Sequence, residues 1–264
     1  MIAGTPTGGT PVPPQVTALA AGASIRPVWE NGLGGLTFEL GGDNVRRFVK
    51  WTPASSGIDL GAERVRLTWA AGYTTVPTPL DYGEDEVSSW LVTAAVPGQS
   101  AVAPRWLSEP AAAVEQIGAG LRAFHDRLPV PACPFTASAE ERLAEIRGRA
   151  GRIDRATWHE EHRHLSVDEA LGLLADIPPV DALVVCHGDT CAPNTLITDD
   201  GRWSGHVDLG ELGVADRWAD LAVATWSLEW NYGPGWEPRL LAAYGVEPDP
   251  IRTAYYRLLW GLGP

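Results

Sequence analysis

Val184 to Asp208 reads VVCHGDTCAPNTLITDDGRWSGHVD, and the rest of the chain is organised around it. An apolar run, Ala182 to Cys186, predicts a short buried strand that breaks at His187-Gly188-Asp189 into a polar loop ending at Asn194. A second run, Thr195 to Thr198, meets the hairpin signal Asp199-Asp200-Gly201, and a third, Trp203 to Val207, delivers Asp208 into Leu209-Gly210. Three oxygen-bearing side chains therefore converge: Asp189, Asn194 and Asp208.

That layout suits phosphoryl transfer to a hydroxyl. One carboxylate takes or orients the hydroxyl proton, while an amide oxygen and a second carboxylate hold Mg²⁺ against a triphosphate. His-Gly-Asp-x-x-x-x-Asn followed by Asp-Leu-Gly resembles the catalytic and metal loops of the antibiotic and small-molecule kinases, distant relatives of protein kinases. Within that group it looks most like the aminoglycoside 3′-phosphotransferases. An isolated HGD or DLG is more often a turn with a capping Asp, so the resemblance rests on both together, correctly spaced. LPVPACPF, Leu128 to Phe135, resembles a stretch of the aminoglycoside 3′-kinases in particular and narrows the family further.

Composition is compatible with this. At 264 residues the chain is long for one domain and typical of two lobes. A formal charge of -13 argues against nucleic-acid or anionic-membrane partners and favours a cationic one. No window reaches the apolar length of a membrane span. The first residues lack a basic region and are broken by Pro6, Pro11, Pro13 and Pro14, so they do not read as a signal peptide. Cys133, Cys186 and Cys191 are scattered, which suggests reduced thiols in a cytoplasmic protein rather than a disulfide frame or a zinc site.

The chain holds 19 arginines and one lysine, Lys50, at the end of a strand-like run. A compact ammonium fits between phosphate oxygens where a planar guanidinium does not. Residues 1–24 are expected to be disordered or loosely packed, with a short helix at Val16 to Ala21. Ile25 to Trp29, Leu36 to Leu40 and Val45 to Trp51 read as antiparallel strands, with Gly41-Gly42-Asp43-Asn44 turning the second hairpin. The first turn, Glu30-Asn31-Gly32-Leu33-Gly34-Gly35, is glycine-rich, so its N–H groups can approach phosphates; alone it reads equally as a flexible turn. Asp59 to Ala70 reads as a helix, and the resemblance makes Glu63 the partner of Lys50; the plainer reading is a surface ion pair. Pro77 to Tyr82 and Ser89 to Val96 complete five strands. By resemblance, the carbonyl of Ala94 and the amide of Val96 meet the adenine at the hinge.

Glu109 to Leu128 carries apolar residues at helical spacing, with His125 expected as a packed core histidine. Ala139 to Arg147 and Val167 to Ala175 read as helices, the second capped by Ser166 with Glu169. Between them, His159 and His162 are only three apart, which is wrong for a HExxH metal site. The resemblance points Glu160 and Glu161 at ammonium groups of an acceptor; the alternative is a solvated helix face. Residues after Glu211 lead into a helix running to about Trp230, and Asp216 and Asp220 resemble the family's structural acids that brace the catalytic loop. Two departures from the family stand out. Asp208-Leu209-Gly210 is followed by Glu211 where relatives commonly have Arg, and the terminal sequence LWGLGP lacks their acidic pair. Trp226, Glu229, Trp230 and Trp236 crowd this region, where aromatic faces suit sugar rings but also a helical core.

The resemblance implies an α+β, bilobal, protein-kinase-like fold: a five-stranded antiparallel N-lobe at 25–95 and a mainly helical C-lobe at 96–264. It implies ATP or GTP and Mg²⁺ as cofactors, and a cationic aminoglycoside as partner, bound by a monomer or weak dimer. Asp189 would be the base, Asn194 and Asp208 the metal ligands, Lys50 and Glu63 the phosphate clamp. Gly34, Gly35 and Leu36 would form the loop over the phosphates, and Glu160, Glu161, Glu211 and Glu229 would meet the acceptor. Transfer to the 3′-OH of a kanamycin- or neomycin-like antibiotic is expected. The alternatives are a kinase for streptomycin or another cationic small molecule, and a nucleotide-binding relative without catalysis.

Overall fold

The computed structural model describes residues 4, 6, 8–41 and 46–263. The expected turn at 42–44 and the strand start at Val45 lie outside them. The chain divides into two compact units, Met1–Val96 and Pro97–Pro264.

In the first unit, alternation decides which side chains are buried. Phe38 and Leu40 in Leu36-Thr37-Phe38-Glu39-Leu40 are fully buried, as is Val49 on the neighbouring strand. The strands are β1 (Ile25–Glu30), β2 (Leu36–Leu40), β3 (Arg47–Pro53), β4 (Pro79–Glu84) and β5 (Ser88–Ala94). They form one antiparallel sheet in the order β1-β2-β3-β5-β4. Within the tract expected to be loose, residues Pro14–Ala20 fold as α1, and Val16 and Ala20 join Phe38, Leu40, Val49 and Val92 in one apolar cluster. Helix α2 (Leu60–Ala70) starts at Asp59, whose Oδ1 caps the Ala62 N–H at 2.8 Å. Its buried residues are Leu60, Glu63, Leu67 and Ala70, one face at helical spacing.

The second unit is mainly helical, as expected. Its helices are α3 (Pro104–Ser108), α4 (Pro110–Arg127), α5 (Ala139–Gly148), α6 (Val167–Leu174), α7 (Trp218–Tyr232), α8 (Glu237–Tyr244) and α9 (Pro250–Gly261). Ser166 and Glu169 form the expected reciprocal cap on α6. Ten of the residues of α7 are buried, from Trp218 to Leu228, which makes it the central helix of the unit. The short strand β6 (Gln99–Ser100) pairs with β8 (Thr195–Ile197), which pairs with β9 (Trp203–His206) around the predicted hairpin. Strand β7 (Leu183–Cys186) pairs antiparallel with β10 (Gly213–Asp216). Sequence reasoning had put 213–216 in the approach to a helix; pairing with β7 makes it a strand. No helix among the described residues is long and apolar enough to cross a membrane.

Candidate active site

The loop between β7 and β8 needs glycine as soon as it leaves the strand. Gly188 sits at φ +90, and a Cβ there would lie 2.4 Å from the Glu211 carbonyl oxygen. Backbone conformation and contact both exclude a side chain. Gly188→Ala is therefore expected to destabilise the folded protein by about 2–4 kcal/mol, read from the urea midpoint.

Asp220, fully buried in the first turn of α7, ties this loop down. Its carboxylate accepts the N–H groups of His187 at 2.7 Å and Gly188 at 2.9 Å, and its carbonyl accepts the Thr190 hydroxyl at 2.6 Å. His125 on α4 holds the same carboxylate: Nε2 lies 2.9 Å from Asp220, and Nδ1 lies 2.8 Å from the Tyr244 hydroxyl. Since the carboxylate can only accept, Nε2 donates to it, and Nδ1 shares a hydrogen bond with the Tyr244 hydroxyl. His125 is thus the packed histidine that was expected. Burial alone would raise the Asp220 carboxyl, but the hydrogen bond and charge of His125, with help from His187 and Gly188, hold it below the usual carboxylate range. Asp216 braces the next turn by accepting the N–H groups of Asp181 at 2.6 Å and Trp218 at 2.9 Å.

His187 joins the two loops. Its Nε2 donates to the Val207 carbonyl at 2.9 Å, and its Nδ1 accepts the Asp189 N–H at 3.2 Å. One rigid ring therefore sets the spacing of the residue before Asp208 relative to Asp189. The Asn194 carbonyl accepts the Val207 N–H at 3.0 Å, so Asn194 and Asp208 are brought together beside the hairpin. The Asn194 amide Nδ2 donates to the Asp189 carbonyl at 2.9 Å and to its carboxylate Oδ2 at 3.0 Å. This leaves the Asn194 amide oxygen, an acceptor, on the other side of the group. Asp208 stands at φ 67, one of two non-glycine residues at positive φ among those described.

Asp189 Oδ1 is buried and has no hydrogen-bond partner among the described residues. A buried carboxylate oxygen in that condition can still accept a donor. Burial, and then the negative charge of Asp208, raise the Asp189 carboxyl above its ordinary value, opposed by Cys191, His187 and Asn194. Burial likewise pushes the Cys191 thiol well up, so it stays protonated beside Asp189.

In the first unit, Lys50 Nζ lies 2.6 Å from Glu63 Oε1. Glu63 is only 4% exposed on the buried face of α2, so it is not an ordinary surface partner. The glycine-rich turn is closed by its own asparagine: Asn31 Oδ1 accepts the N–H groups of Leu33 at 3.0 Å and Gly35 at 2.8 Å. With the Gly34 N–H on the Asn31 carbonyl at 3.2 Å, three of the donors expected to point at phosphates are engaged within the loop. Gly34 has φ +84, and a Cβ on Gly35 would strike Asn31 Nδ2 at 2.5 Å. Leu36 opens β2 opposite Glu30, Ala94 closes β5 with its N–H on the Thr78 carbonyl at 2.9 Å, and Val96 is buried.

The four expected acceptor acids differ. Glu160 and Glu161 are exposed, but in turns rather than on a helix face. Glu211 is exposed and lies 3.3 Å from Arg142, which supplies the cation its own position lacks. Glu229 is exposed and lies 3.4 Å from Arg257 on α9. Sequence reasoning gave no role to His187, Asn31, Cys191 or Ser227. His187 lay inside the motif, but its reach to Val207 spans 20 positions and leaves no local trace.

The family model described as "Phosphotransferase enzyme family" matches residues 25–256. An aminoglycoside 3′-phosphotransferase of Streptomyces fradiae is 39% identical over 219 residues, covering 78% of this chain and 81% of its own length. A streptomycin 3″-kinase of Streptomyces griseus is 32% identical over 247 residues, covering 81% of this chain and 85% of its own. Among solved structures, the crystal structure of an aminoglycoside-3′-phosphotransferase of type VIII superposes with a TM-score of 0.80 at 32% identity, covering 94% of this chain and 97% of that one. An aminoglycoside phosphotransferase of Streptomyces rimosus in complex with ADP and streptomycin gives a TM-score of 0.74 at 30% identity, covering 94% and 98%.

Proposed function

This chain belongs to the phosphotransferase enzyme family, and on that premise we propose that it is an aminoglycoside O-phosphotransferase. It moves the γ-phosphate of ATP or GTP to the 3′-OH of a kanamycin- or neomycin-like acceptor, which would confer resistance. The observation that carries the reading is Asp189: its Oδ2 is fixed by Asn194 while Oδ1, buried, is kept for an incoming donor. A substrate hydroxyl is such a donor, and a carboxyl raised above its ordinary value is a better proton acceptor than a surface aspartate.

Each unit has its own part. In the first, Lys50, steered by Glu63, would neutralise the transferring phosphates, with the Gly34-Gly35-Leu36 turn beside them and the Ala94 to Val96 backbone available to a base. In the second, Asn194 and Asp208 offer an amide oxygen and a carboxylate, the hard oxygen donors that Mg²⁺ takes, and the donor set therefore fits that ion. When bound there, Mg²⁺ supplies positive charge to the phosphate oxygens. Asp189 orients the hydroxyl and takes its proton as the oxygen–phosphorus bond forms; the nucleoside diphosphate leaves with the electrons of the broken bond.

Incubating the protein with ATP or GTP, Mg²⁺ and kanamycin, neomycin or streptomycin, followed by mass spectrometry of each antibiotic, tests this. A phosphorylated kanamycin or neomycin is expected. The 32% identity to a streptomycin 3″-kinase makes phosphorylated streptomycin the second reading. Nucleotide binding with no product across the set would instead favour a non-catalytic relative.

A further inference from the structure

Glu30 is the last residue of β1, and the glycine-rich turn starts directly after it. Strand β1 stands at one edge of the sheet, where backbone groups that point away from β2 would meet only water. Gly4 takes both such groups of Glu30. Its N–H donates to the Glu30 carbonyl at 2.9 Å, and its carbonyl accepts the Glu30 N–H at 2.9 Å. On the inner side Glu30 lies opposite Leu36, and the Asn31 N–H donates to the Gly35 carbonyl at 2.9 Å. The root of the turn is therefore held from outside by Gly4 and from inside by β2.

The segment that brings Gly4 there is anchored at the far edge of the same sheet. Successive strands place Glu30, Leu36, Trp51, Trp90 and Gly83 across from one another. The glycine-rich turn and the β4–β5 hairpin thus lie at the same end of the sheet, on opposite edges. In that hairpin Asp85 Oδ1 accepts the N–H groups of Val87 at 2.9 Å and Ser88 at 2.8 Å, while its Oδ2 accepts Gln15 Nε2 at 2.6 Å. Gln15 is in the first turn of α1, whose Val16 and Ala20 are sunk into the apolar cluster on the sheet. Five strands make a width of about 19 Å, which residues 4–15 cover with chain to spare. Pro6, Pro11, Pro13 and Pro14 have φ fixed in advance, so this tract loses less freedom than most when it lies down.

The turn itself is closed from within. Asn31 holds the N–H groups of Leu33, Gly34 and Gly35, the first and third through its side chain and the second through its carbonyl. A turn tied up in this way moves as a body about its root. Whatever fixes Glu30 therefore fixes where the turn lies.

We propose that residues 4–15 are a strap, fastened to Asp85 at one edge of the sheet and to Glu30 at the other, that sets the pose of the glycine-rich turn and through it the affinity for a nucleoside triphosphate. This rests on reading the turn as the neighbour of the phosphates. It adds Gly4 and Gln15 as positioning residues that act through Glu30 and Asp85 without touching the nucleotide. A tract whose composition reads as loose is then a working part of the nucleotide unit.

The test uses the full chain with ATP, Mg²⁺ and kanamycin. A Cβ on Gly4 would meet no atom within 4 Å, so Gly4→Ala keeps the bridge and should leave every constant within about twofold of the parent. Gly4→Pro removes the N–H and is expected to raise the KM for ATP about fivefold, with kcat and the kanamycin KM within about twofold. Gln15→Ala, which frees the other end, should shift the ATP KM in the same direction. An ATP KM for Gly4→Pro within about twofold of Gly4→Ala overturns the strap, and so does an equal rise in the kanamycin KM, which a general loosening of the fold would give. If the parent phosphorylates no antibiotic, the acceptor reading has failed, and titration with ATP makes the same comparison through Kd. Hydrogen exchange checks the mechanics without any ligand. The amides of Asn31, Leu33 and Gly35 should exchange faster in Gly4→Pro than in Gly4→Ala while α1 stays protected, and equal rates overturn the strap.

Discussion

Asp189→Ala is expected to lower phosphoryl transfer by about 10³-fold or more while nucleotide affinity stays within a few-fold of the parent. The expectation follows from what the side chain touches. Its two oxygens are unequal, one held by Asn194 and one buried without a partner, so removal deletes the group that orients an incoming hydroxyl. It also removes the acceptor of the Asn194 amide, although the Asp189 carbonyl still holds that amide at 2.9 Å. The metal-binding oxygens should therefore stay near their places and nucleotide should still bind. Single-turnover product formation together with a nucleotide titration checks both halves. Turnover at the parental rate would remove Asp189 from its role.

Asp220→Asn is expected to cost about 3–5 kcal/mol of stability at neutral pH, the largest effect on folding anticipated here. The carboxylate accepts three donors, from His125 and from the His187 and Gly188 backbone. A carboxamide has one acceptor oxygen, and its NH₂ would face a donor in a fully buried place. The pH dependence has a definite sign. Because the folded protein holds this carboxyl below its usual value, its contribution is complete above the ordinary aspartate pKa of about 4 and is lost as pH falls through the lower folded value. The gap between parent and Asp220→Asn should then be widest at neutral pH and narrow below about pH 4, measured by urea unfolding at pH 7 and pH 3. A gap that widens on acidification would contradict the assignment.

What could be read from the chain depended on the distance over which each signal acts. The loop from His187 to Asn194 and the hairpin to Asp208 are local, and β7, β8 and β9 fall close to where the apolar runs put them. Strand β10 was missed because Gly213–Asp216 has no strand pattern of its own and takes its conformation from β7. Glu63 was legible as a partner of Lys50 only through resemblance, although the residues at 60, 63, 67 and 70 put it on the buried face of a helix, where a lone acid is unusual. The Asn-Gly pair at 31–32 announced a turn without saying that the carboxamide would take the N–H groups of Leu33 and Gly35. His125 and Asp220, 95 positions apart, meet only after α4 and α7 have packed, and nothing nearby in sequence marks the pairing.

Asp208 carries a carboxylate in a backbone conformation where glycine would be at ease, at a cost of order 1 kcal/mol. Random variation screened only for thermal resistance would tend to discard the acid there and keep a sturdier, silent protein. Selection for growth in the presence of an antibiotic would keep it, so the two screens should diverge at this codon before most others.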